Sequence, residues 1–320
     1  MNRYERQIAV TEFGIDGQCQ LREAHVLVVG AGGLAAPVLQ YLGGAGLGRL
    51  QIADPDEIQL SNLHRQTLFD IGDIGQKKAI QASLFVTKRN PDVHVEAITS
   101  AITPHNVQNI VKDVDLVIDC ADAFAVSYFL SDICLQKSIP LISASVVGTQ
   151  GYVGCFCGSA PSLRAVFPQV PPQLTTCAES GVLGPVVGVL GSLQAQLALQ
   201  ILSALSPSPM GTLIRYDGLK QHFATFAFHD APEPEDSWPF IAQEDFTAQD
   251  IIVDLREPEE GPLVHKQALR LNLDQLKNHV AEADSSSRIV LCCRSGLRAW
   301  QAGLQIEPLF KGHLCLHATG

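Results

Sequence analysis

The chain has 320 residues, of which 46% are hydrophobic and 17% charged, and its formal net charge at pH 7 is −11. That length and composition are typical of a globular protein with one large core and a smaller module, while the acidic charge argues against a nucleic-acid-binding surface. No apolar run is long and uninterrupted enough to predict a membrane span, and the N-terminal residues MNRYERQIAV lack the apolar core of a signal peptide, so we expect a cytoplasmic protein that binds neither nucleic acid nor membrane.

The first half of the chain alternates between strand-like and helix-like segments. Apolar runs rich in β-branched residues predict buried strands, and stretches such as APVLQYLGGAG and KKAIQASLFVTKRN predict the helices between them. The predicted strands cover residues 25–30, 49–54, 93–98, 115–120 and 140–145. Because strands that alternate with helices favour a parallel sheet covered on both faces, we predict an α/β fold with a Rossmann-like, mostly parallel sheet.

The pattern changes after residue 150. Residues 151–158 and 222–228 predict antiparallel strands that extend the sheet, and residues 186–202 predict a buried helix. The acidic, Pro-rich stretch HDAPEPEDSWPF predicts a linker, and the strand-like runs DIIVDLREPEE and RIVLCCRSGLRAW follow it. We predict a large domain over residues 1–230, a linker over 231–242 and a small α/β domain over 243–320.

A glycine-rich turn, VVGAGGLAAP, joins the first predicted strand to the first long helix. Gly30, Gly32 and Gly33 leave backbone N–H groups exposed at a helix N-terminus, which favours binding of a phosphate. Asp54 ends the next strand, 24 residues after Gly30, where a carboxylate can hold a ribose hydroxyl. These residues alone fit an NAD-dependent oxidoreductase as well as an ATP-binding enzyme, and a tight turn without a ligand is a third interpretation.

A series of polar residues favours ATP over NAD. The residues concerned are Ser61, Asn62 and Arg65 in DPDEIQLSNLHRQTLF, Lys78 in GQKK, and Asp122 in DCADAF. Basic side chains neutralise the charge that builds up on a triphosphate under attack, and a carboxylate beside them suits Mg²⁺. Each residue alone could be an ordinary surface charge, but a hydride-transferring enzyme does not need this set.

Several motifs resemble the ThiF/MoeB/HesA family of ubiquitin-activating-like adenylyltransferases. They are RYERQI, GAGGLAAP, LSNLHRQ, GQKK and TCAESGVLGPVVGVLGSLQA, and the resemblance covers about residues 2–228. It implies an enzyme that binds Mg·ATP and adenylates the C-terminal glycine of a ubiquitin-like sulfur-carrier protein of the ThiS/MoaD type, with release of pyrophosphate.

The resemblance also assigns roles to individual residues. It places Gly32 in the phosphate turn, Asp54 at the ribose and Asp122 on the magnesium ion. It places three side chains at the phosphates, namely Asn62, Arg65 and Lys78. Arg6, in RYERQI, matches an arginine that reaches the ATP of a partner subunit, which implies a homodimer.

The chain departs from the family pattern at two places. Where relatives carry the first Cys-x-x-Cys pair of a structural zinc site, this chain has Ser162 and Ala165, and a second pair is missing after HFATFAFHDA, so we expect no zinc site. Ala123 and Ser127 replace an asparagine and an arginine that usually follow the magnesium-binding aspartate. The second departure favours an alternative function, an adaptor that binds ATP and a carrier without turnover.

Cys177, in TTCAESG, matches the cysteine of the family's crossover loop. In ubiquitin-activating enzymes that position takes the carrier as a thioester, in some bacterial relatives it takes part in a persulfide-derived link, and in others it is dispensable for adenylation. A covalent role for Cys177 and an inert role are both open.

The C-terminal sequence VLCCRSGLRA resembles the active-site loop of rhodanese-like sulfurtransferases, with Cys293 as the nucleophile. A loop that closes on a helix N-terminus, with Arg294 and Arg298 nearby, favours a thiolate, so we expect a lowered pKa for Cys293 and a persulfide formed on it. In the same resemblance Asp254 and Arg256 are structural. The module is short, so a degenerate domain that only binds is an alternative. A phosphatase-type Cys-x5-Arg loop is disfavoured, because four residues separate Cys293 from Arg298.

The sequence thus predicts an enzyme with two linked activities. The N-terminal domain adenylates the carrier, and the C-terminal domain passes sulfur from a sulfur donor, through Cys293, to give a thiocarboxylate. The adaptor and the NAD-dependent oxidoreductase are the alternatives. The pathway stays open among thiamine, molybdenum cofactor, thiolated tRNA and siderophore synthesis.

Overall fold

A computed structural model describes residues 3–168 and 181–320 of the chain, and these residues form two β-sheets with helices packed against them. The larger sheet has eight strands in the order β3-β2-β1-β4-β5-β6-β7-β8. Its strands are β1 His25–Val29, β2 Arg49–Ala53, β3 His94–Ile98, β4 Leu116–Asp119, β5 Pro140–Val147, β6 Gln150–Cys157, β7 Thr212–Asp217 and β8 His222–Ala227.

The predicted mostly parallel sheet with an antiparallel extension is confirmed. Strands β3, β2, β1, β4 and β5 run parallel, and β5, β6, β7 and β8 pair antiparallel. Every residue of β1 is buried, which is what an apolar run in a sheet covered on both faces requires. The sequence does not predict β7, because its short TLIRYD segment is only partly buried and lacks a continuous apolar run.

Eight helices among the described residues belong to the part of the chain that forms the larger sheet. They are α1 Glu5–Ile8, α2 Gly14–Glu23, α3 Ala35–Ala45, α4 Lys78–Arg89, α5 Val107–Ile110, α6 Phe124–Lys137, α7 Leu163–Val166 and α8 Gly184–Leu202. Helices α3, α4 and α8 cover one face of the sheet, and α6 covers the other.

Helix α8 is the predicted buried helix, and it is long and apolar. By length and composition alone it meets the criterion for a membrane span. It packs against α3 so closely that a Cβ atom on Gly191 would lie 2.3 Å from the carbonyl oxygen of Leu34. The side-chain amide of Gln194 donates a 2.8 Å hydrogen bond to the carbonyl of Asp119 in β4. These contacts are those of a core helix.

Two cysteines of β6 point to opposite faces of the sheet. On a regular strand, the one-residue spacing of Cys155 and Cys157 would place both side chains on the same face, but they lie on opposite faces. Cys157 has a φ of +59°, which breaks the alternation at the strand end, so its side chain joins the core on the α6 face while Cys155 packs beneath α8.

The second sheet is small and wholly parallel, with strand order β10-β9-β11-β12. Its strands are β9 Ile251–Asp254, β10 Leu269–Arg270, β11 Arg288–Cys293 and β12 His313–Ala318, and its helices are α9 Leu273–Ala281 and α10 Leu297–Ile306.

An aromatic cluster joins the two sheets, and we call it the seam. The Trp300 ring lies 5.8 Å from Phe124, 5.3 Å from Tyr128 and 5.6 Å from Trp238, measured between centroids. The Arg164 guanidinium lies over the rings of Tyr128 and Trp300. Residues 231–239, within the predicted linker, have neither helix nor strand, but Trp238 fastens them to the seam.

Candidate functional site

The glycine turn lies between the ends of β1 and β4 and the start of α3. Gly30 has a φ of +90°, and a Cβ atom there would lie 2.6 Å from the carbonyl oxygen of Cys120. A Cβ on Gly33 would lie 2.8 Å from the side chain of Val187 in α8. At Gly32 the nearest atom is the Gln66 amide nitrogen at 3.5 Å, so this glycine has more open space beside it. Gly30 and Gly33 are required by packing, and Gly32 leaves room for a ligand.

Asp54 fixes the glycine turn through hydrogen bonds to the backbone. Its carboxylate accepts hydrogen bonds from the backbone N–H of Ala31 at 2.7 Å and of Asp56 at 2.8 Å. Burial raises the pKa of Asp54, although these hydrogen bonds oppose the shift. Asp54 does not line the neighbouring pocket, so its contact with a ribose stays a prediction.

The pocket beside the turn has a polar lining. Its volume of about 370 Å³ is within the range of small-molecule sites. It brings together four of the predicted residues, Asn62, Arg65, Lys78 and Asp122. The full lining is Pro55, Asp56, Glu57, Gln59, Asn62, Arg65, Gln66, Lys77, Lys78 and Asp122.

Besides Asp54 and the three glycines, two further predicted residues lie outside this lining. The side chain of Ser61 does not line the pocket, and its carbonyl accepts a 3.2 Å hydrogen bond from Arg65. Arg6, on the short helix α1, is exposed and away from the pocket of its own chain.

The cations of the pocket are already oriented. The Lys78 ammonium, with only 9% of its side chain exposed, forms a 2.8 Å ion pair with the exposed carboxylate of Asp56. The Lys77 ammonium donates to the carbonyl of Pro55 at 2.9 Å. Arg65 is held by the Ser61 carbonyl and contacts the His64 ring at 2.8 Å.

Asp56 and Gln66 also line the pocket and were not predicted from the sequence. Asp56 follows Asp54 by two residues in DPDE, and this second acid after a strand was the available signal. Gln66 stands directly after Arg65, but nothing in the sequence separates it from the other polar residues of that segment.

Ser162 and Ala165, which stand at the positions of the first zinc-binding cysteine pair of relatives, take part in hydrogen bonds. The Glu233 carboxylate accepts from the backbone N–H of Ser162 at 2.6 Å and from its hydroxyl at 2.5 Å. The same hydroxyl accepts from the N–H of Ala165 and caps α7. The described residues contain no group of three or more His, Cys, Asp or Glu side chains able to hold a metal ion. Cys177 lies outside the described residues.

Cys293 ends β11, and its sulfur faces the N-terminus of α10. The sulfur accepts hydrogen bonds from the N–H groups of Gly296 at 3.1 Å and Ala299 at 3.3 Å. The loop therefore closes on a helix N-terminus, as predicted, but Cys293 is fully buried. Burial raises the pKa of the Cys293 thiol more than these hydrogen bonds and the charge of Arg298 lower it. The prediction of a lowered pKa is therefore wrong, because the desolvation of the buried thiolate outweighs its backbone hydrogen bonds and the charge of Arg298.

The charges around this loop are largely paired. Arg298 forms a two-pronged ion pair with Glu260, whereas Arg294 is exposed. Asp254 accepts two hydrogen bonds from the Arg256 guanidinium, which fits the structural role predicted for this pair. Cys292, the neighbouring residue at the end of β11, is fully buried in the core of the small sheet.

Comparison with known sequences identifies relatives of the N-terminal part. The ThiF family profile matches residues 4–237. The chain is 41% identical over 224 residues to "Adenylyltransferase and sulfurtransferase MOCS3" of Sus scrofa, covering 69% of this chain and 49% of that protein. It is 42% identical over 206 residues to "Adenylyltransferase and sulfurtransferase UBA4" of Yarrowia lipolytica, covering 63% and 52%. The match thus spans about half the length of these two relatives.

An archaeal relative is matched over most of its length. The "SAMP-activating enzyme E1" of Haloferax volcanii is 37% identical over 235 residues, covering 73% of this chain and 87% of that protein. Among solved structures, E. coli MccB with MccA-N7isoASN superposes with a TM-score of 0.65 at 22% identity, covering 72% of both chains. PaaA superposes with a TM-score of 0.58 at 20% identity, covering 71% and 72%. These two structures share the fold.

Proposed function

The chain belongs to the ThiF family, and from that premise we propose that it adenylates the C-terminal glycine of a ubiquitin-like sulfur-carrier protein and then transfers sulfur to it. The observation that carries this proposal is the polar pocket beside the glycine turn, in which Arg65, Lys78 and Asp122 converge. The names of the relatives, which are adenylyltransferases with sulfurtransferase activity and a SAMP-activating enzyme, support the same reaction.

The basic residues of the pocket hold the triphosphate in this proposal. The open N–H groups at Gly32 and the start of α3 receive phosphate oxygens, because a helix N-terminus carries partial positive charge. The Lys78 ammonium breaks its ion pair with Asp56 and binds a phosphate oxygen. The Arg65 guanidinium breaks its hydrogen bond to the Ser61 carbonyl and also binds a phosphate oxygen. Both side chains then stabilise the charge that develops on the phosphate oxygens as pyrophosphate departs.

The residues present fit a magnesium ion delivered with ATP. Asp122 presents an exposed carboxylate to the pocket. Mg²⁺ in such sites is held by one or two carboxylates, with phosphate oxygens and water completing its shell, so a larger cluster of protein ligands is not needed. The bound ion supplies charge neutralisation between the phosphates.

The adenylation step makes an inert carboxylate reactive. A carboxylate oxygen of the carrier's terminal glycine attacks the α-phosphorus, a new O–P bond forms, and the bond from that phosphorus to pyrophosphate breaks. AMP is a far better leaving group than the oxygen of a free carboxylate. The pocket contributes by aligning the two reactants and neutralising charge.

Pyrophosphate exchange tests the adenylation step. With carrier, ATP and labelled pyrophosphate, we expect carrier-dependent exchange that falls about a hundredfold or more in Lys78→Ala or Asp122→Asn, by analogy with the loss of one transition-state contact. Lys88→Ala, which removes an exposed lysine of α4 outside the pocket, is the matched control and should exchange at the wild-type rate.

Two other results would redirect the proposal. Nucleotide and carrier binding without exchange would support the adaptor. Tight NAD binding without ATP binding would contradict both and favour the oxidoreductase.

The second step of the proposal uses Cys293. A sulfur donor transfers its sulfane sulfur to the Cys293 thiolate, which becomes a persulfide. The terminal sulfur attacks the acyl-adenylate and AMP leaves. A second thiol then attacks the sulfur of Cys293, releasing the carrier thiocarboxylate and leaving a disulfide. The eight free cysteines among the described residues fit a reducing compartment, so we place this chemistry in the cytoplasm.

We further propose that the enzyme is a homodimer in which Arg6 of each subunit completes the pocket of the other. The position of Arg6, exposed and away from its own pocket, supports this assignment.

A further inference from the structure

The carboxylate of Asp119 is completely buried at the end of β4, three residues before Asp122, which lines the pocket. Its Oδ2 atom accepts a 2.7 Å hydrogen bond from the Ser143 hydroxyl of β5. Its Oδ1 atom accepts a 3.1 Å hydrogen bond from the backbone N–H of Ala121. The Ser127 hydroxyl, in the first turn of α6, also donates to this carboxylate. One side chain thus links a strand, a loop and a helix.

Asp119 has no cation as a partner among the described residues. The ion pairs found there involve other carboxylates, and the contacts of Asp119 are neutral hydrogen-bond donors. The Asp119 carbonyl is held by Gln194 of α8. Burying a charge without a counter-ion is costly, and it persists where several fixed donors surround it. These donors make Asp119 a rigid point in the fold.

The loop that Asp119 holds carries Asp122. Residues 120–123 connect β4 to α6, and Asp122 reaches the pocket from within this short connection. The N-cap residue of α6, Ala123, makes no side-chain capping bond. The hydrogen bonds from Ala121 and Ser127 to Asp119 therefore lie on either side of Asp122 in the chain and fix both ends of the segment that carries it.

We propose that Asp119 is a positioning residue of the nucleotide site, which acts through the loop 120–123 by fixing where the Asp122 carboxylate meets the magnesium ion of Mg·ATP. This inference rests on the proposed function. Asp119 touches neither nucleotide nor carrier, and its effect passes entirely through Asp122.

The test measures Mg²⁺-dependent binding of a fluorescent ATP analogue to the full-length protein. In Asp119→Ala, which leaves the Ala121 N–H and two serine hydroxyls without their acceptor, we expect the half-saturating Mg²⁺ concentration to rise about tenfold, the equivalent of one to two buried hydrogen bonds. Asp119→Asn keeps an oxygen for Ala121 and an amide for a serine, so it should stay within about threefold of wild type. If Asn is as harmful as Ala, the charge matters rather than the geometry, and the proposal is overturned.

A double-mutant cycle separates action through Asp122 from any other route. Asp122→Asn alone should lose most of the Mg²⁺ dependence, and adding Asp119→Ala should cause no further loss. A further, additive loss in the double variant would contradict the proposal. Ser131→Ala removes another buried hydroxyl of α6, which lies one turn further along the helix and accepts from the backbone N–H of Leu163, and it should leave the Mg²⁺ dependence unchanged.

Thermal melting of each variant shows that it folds. Where Asp119→Ala does not fold, Ser127→Ala and Ser143→Ala each remove one donor and should shift the Mg²⁺ requirement about twofold to fivefold in the same direction. An unchanged Mg²⁺ requirement in both serine variants would also overturn the inference. If wild-type protein binds no nucleotide, the proposed function itself fails, whereas normal wild-type binding with an unaffected Asp119→Ala variant defeats only this inference.

Discussion

Individual residues at both sites show how burial decides what a side chain can do. Asp54 and Asp56 are two residues apart, yet Asp54 is occupied in holding the glycine turn while Asp56 is exposed in the pocket and pairs with Lys78. Cys293 has the neighbours of a reactive thiolate, but its burial raises the pKa of the thiol. The same residue type in the same motif therefore has a different reactivity depending on its access to water.

The raised pKa of Cys293 predicts a specific pH dependence. Because burial raises the pKa of the Cys293 thiol, its alkylation, resolved by tandem mass spectrometry, should be slow at neutral pH and should rise only at a higher pH than for an ordinary thiol. Because the Arg298 charge lowers this pKa, Arg298→Ala should move the rise to higher pH. Arg294→Ala, which removes an exposed charge from the same loop, should leave the profile in place.

The corresponding persulfide assay links this chemistry to sulfur transfer. Thiosulfate and cyanide should yield thiocyanate with wild type and none with Cys293→Ser. Equal turnover by wild type and Cys293→Ser would exclude Cys293 as the sulfur acceptor.

Short elements around residues 162–166 and 231–239 are fixed by polar contacts. Ser162 caps α7 and donates to Glu233, and Arg164 forms a two-pronged ion pair with Asp132 and donates to the Trp238 carbonyl. These bonds fasten the segment that follows β8 to the large sheet. The predicted linker is thus attached to the large sheet along part of its length.

Removal of the Ser162 hydroxyl should loosen this attachment. Ser162 is almost completely buried. We expect Ser162→Ala to lower the free energy of unfolding by about 1 kcal/mol, since it removes both the cap and a donor to Glu233. Limited proteolysis should cut residues 231–239 faster in this variant. Glu235→Ala, which changes an exposed acid of the same segment, should be cut at the wild-type rate.

At the scale of the whole molecule, the seam sets the relation between the two sheets and the access to Cys293. Gly296, in the Cys293 loop, lies so close to α6 and to Phe240 that a Cβ atom would be 3.2 Å from Ala125 and 2.7 Å from the Phe240 ring. The loop is therefore covered by the large sheet's own helix. The same helix begins beside Asp122, so the two candidate sites are connected through α6.

Trp300 is the central side chain of the seam, and truncating this side chain should open the seam. We expect Trp300→Ala to cost about 3–5 kcal/mol of stability, as for other buried aromatic residues, and to increase the alkylation rate of Cys293. Leu304→Ala, on the exposed side of α10, should change neither quantity appreciably. A Trp300→Ala protein with an unchanged Cys293 rate would mean that the seam does not control access.

Mixed dimers test whether Arg6 acts between subunits. Subunits with Arg6→Ala and subunits with Asp122→Asn are each expected to be inactive alone. A dimer of one of each contains one complete pocket if Arg6 acts across the interface, so about half of the exchange activity should return, one pocket of the two being intact. No recovery would place Arg6 in the pocket of its own subunit, and an Arg6→Ala protein that is active alone would place Arg6 outside the reaction.

The sequence by itself determined the succession of most strands and of the long helices between them, the two-part organisation of the motifs and four of the residues that line the pocket. These follow from local periodicity and from the rule that ligand-binding loops lie at the carboxyl ends of parallel strands. Only the tertiary structure decided that the Asp54 carboxylate is taken up by hydrogen bonds to the backbone and that Cys157 lies on the α6 face of the sheet. It also decided that Asp119 holds the loop of Asp122 and that Cys293 is buried beside the seam. Those properties depend on desolvation and on contacts between residues far apart in the chain, and neither is encoded in the spacing of neighbouring residues.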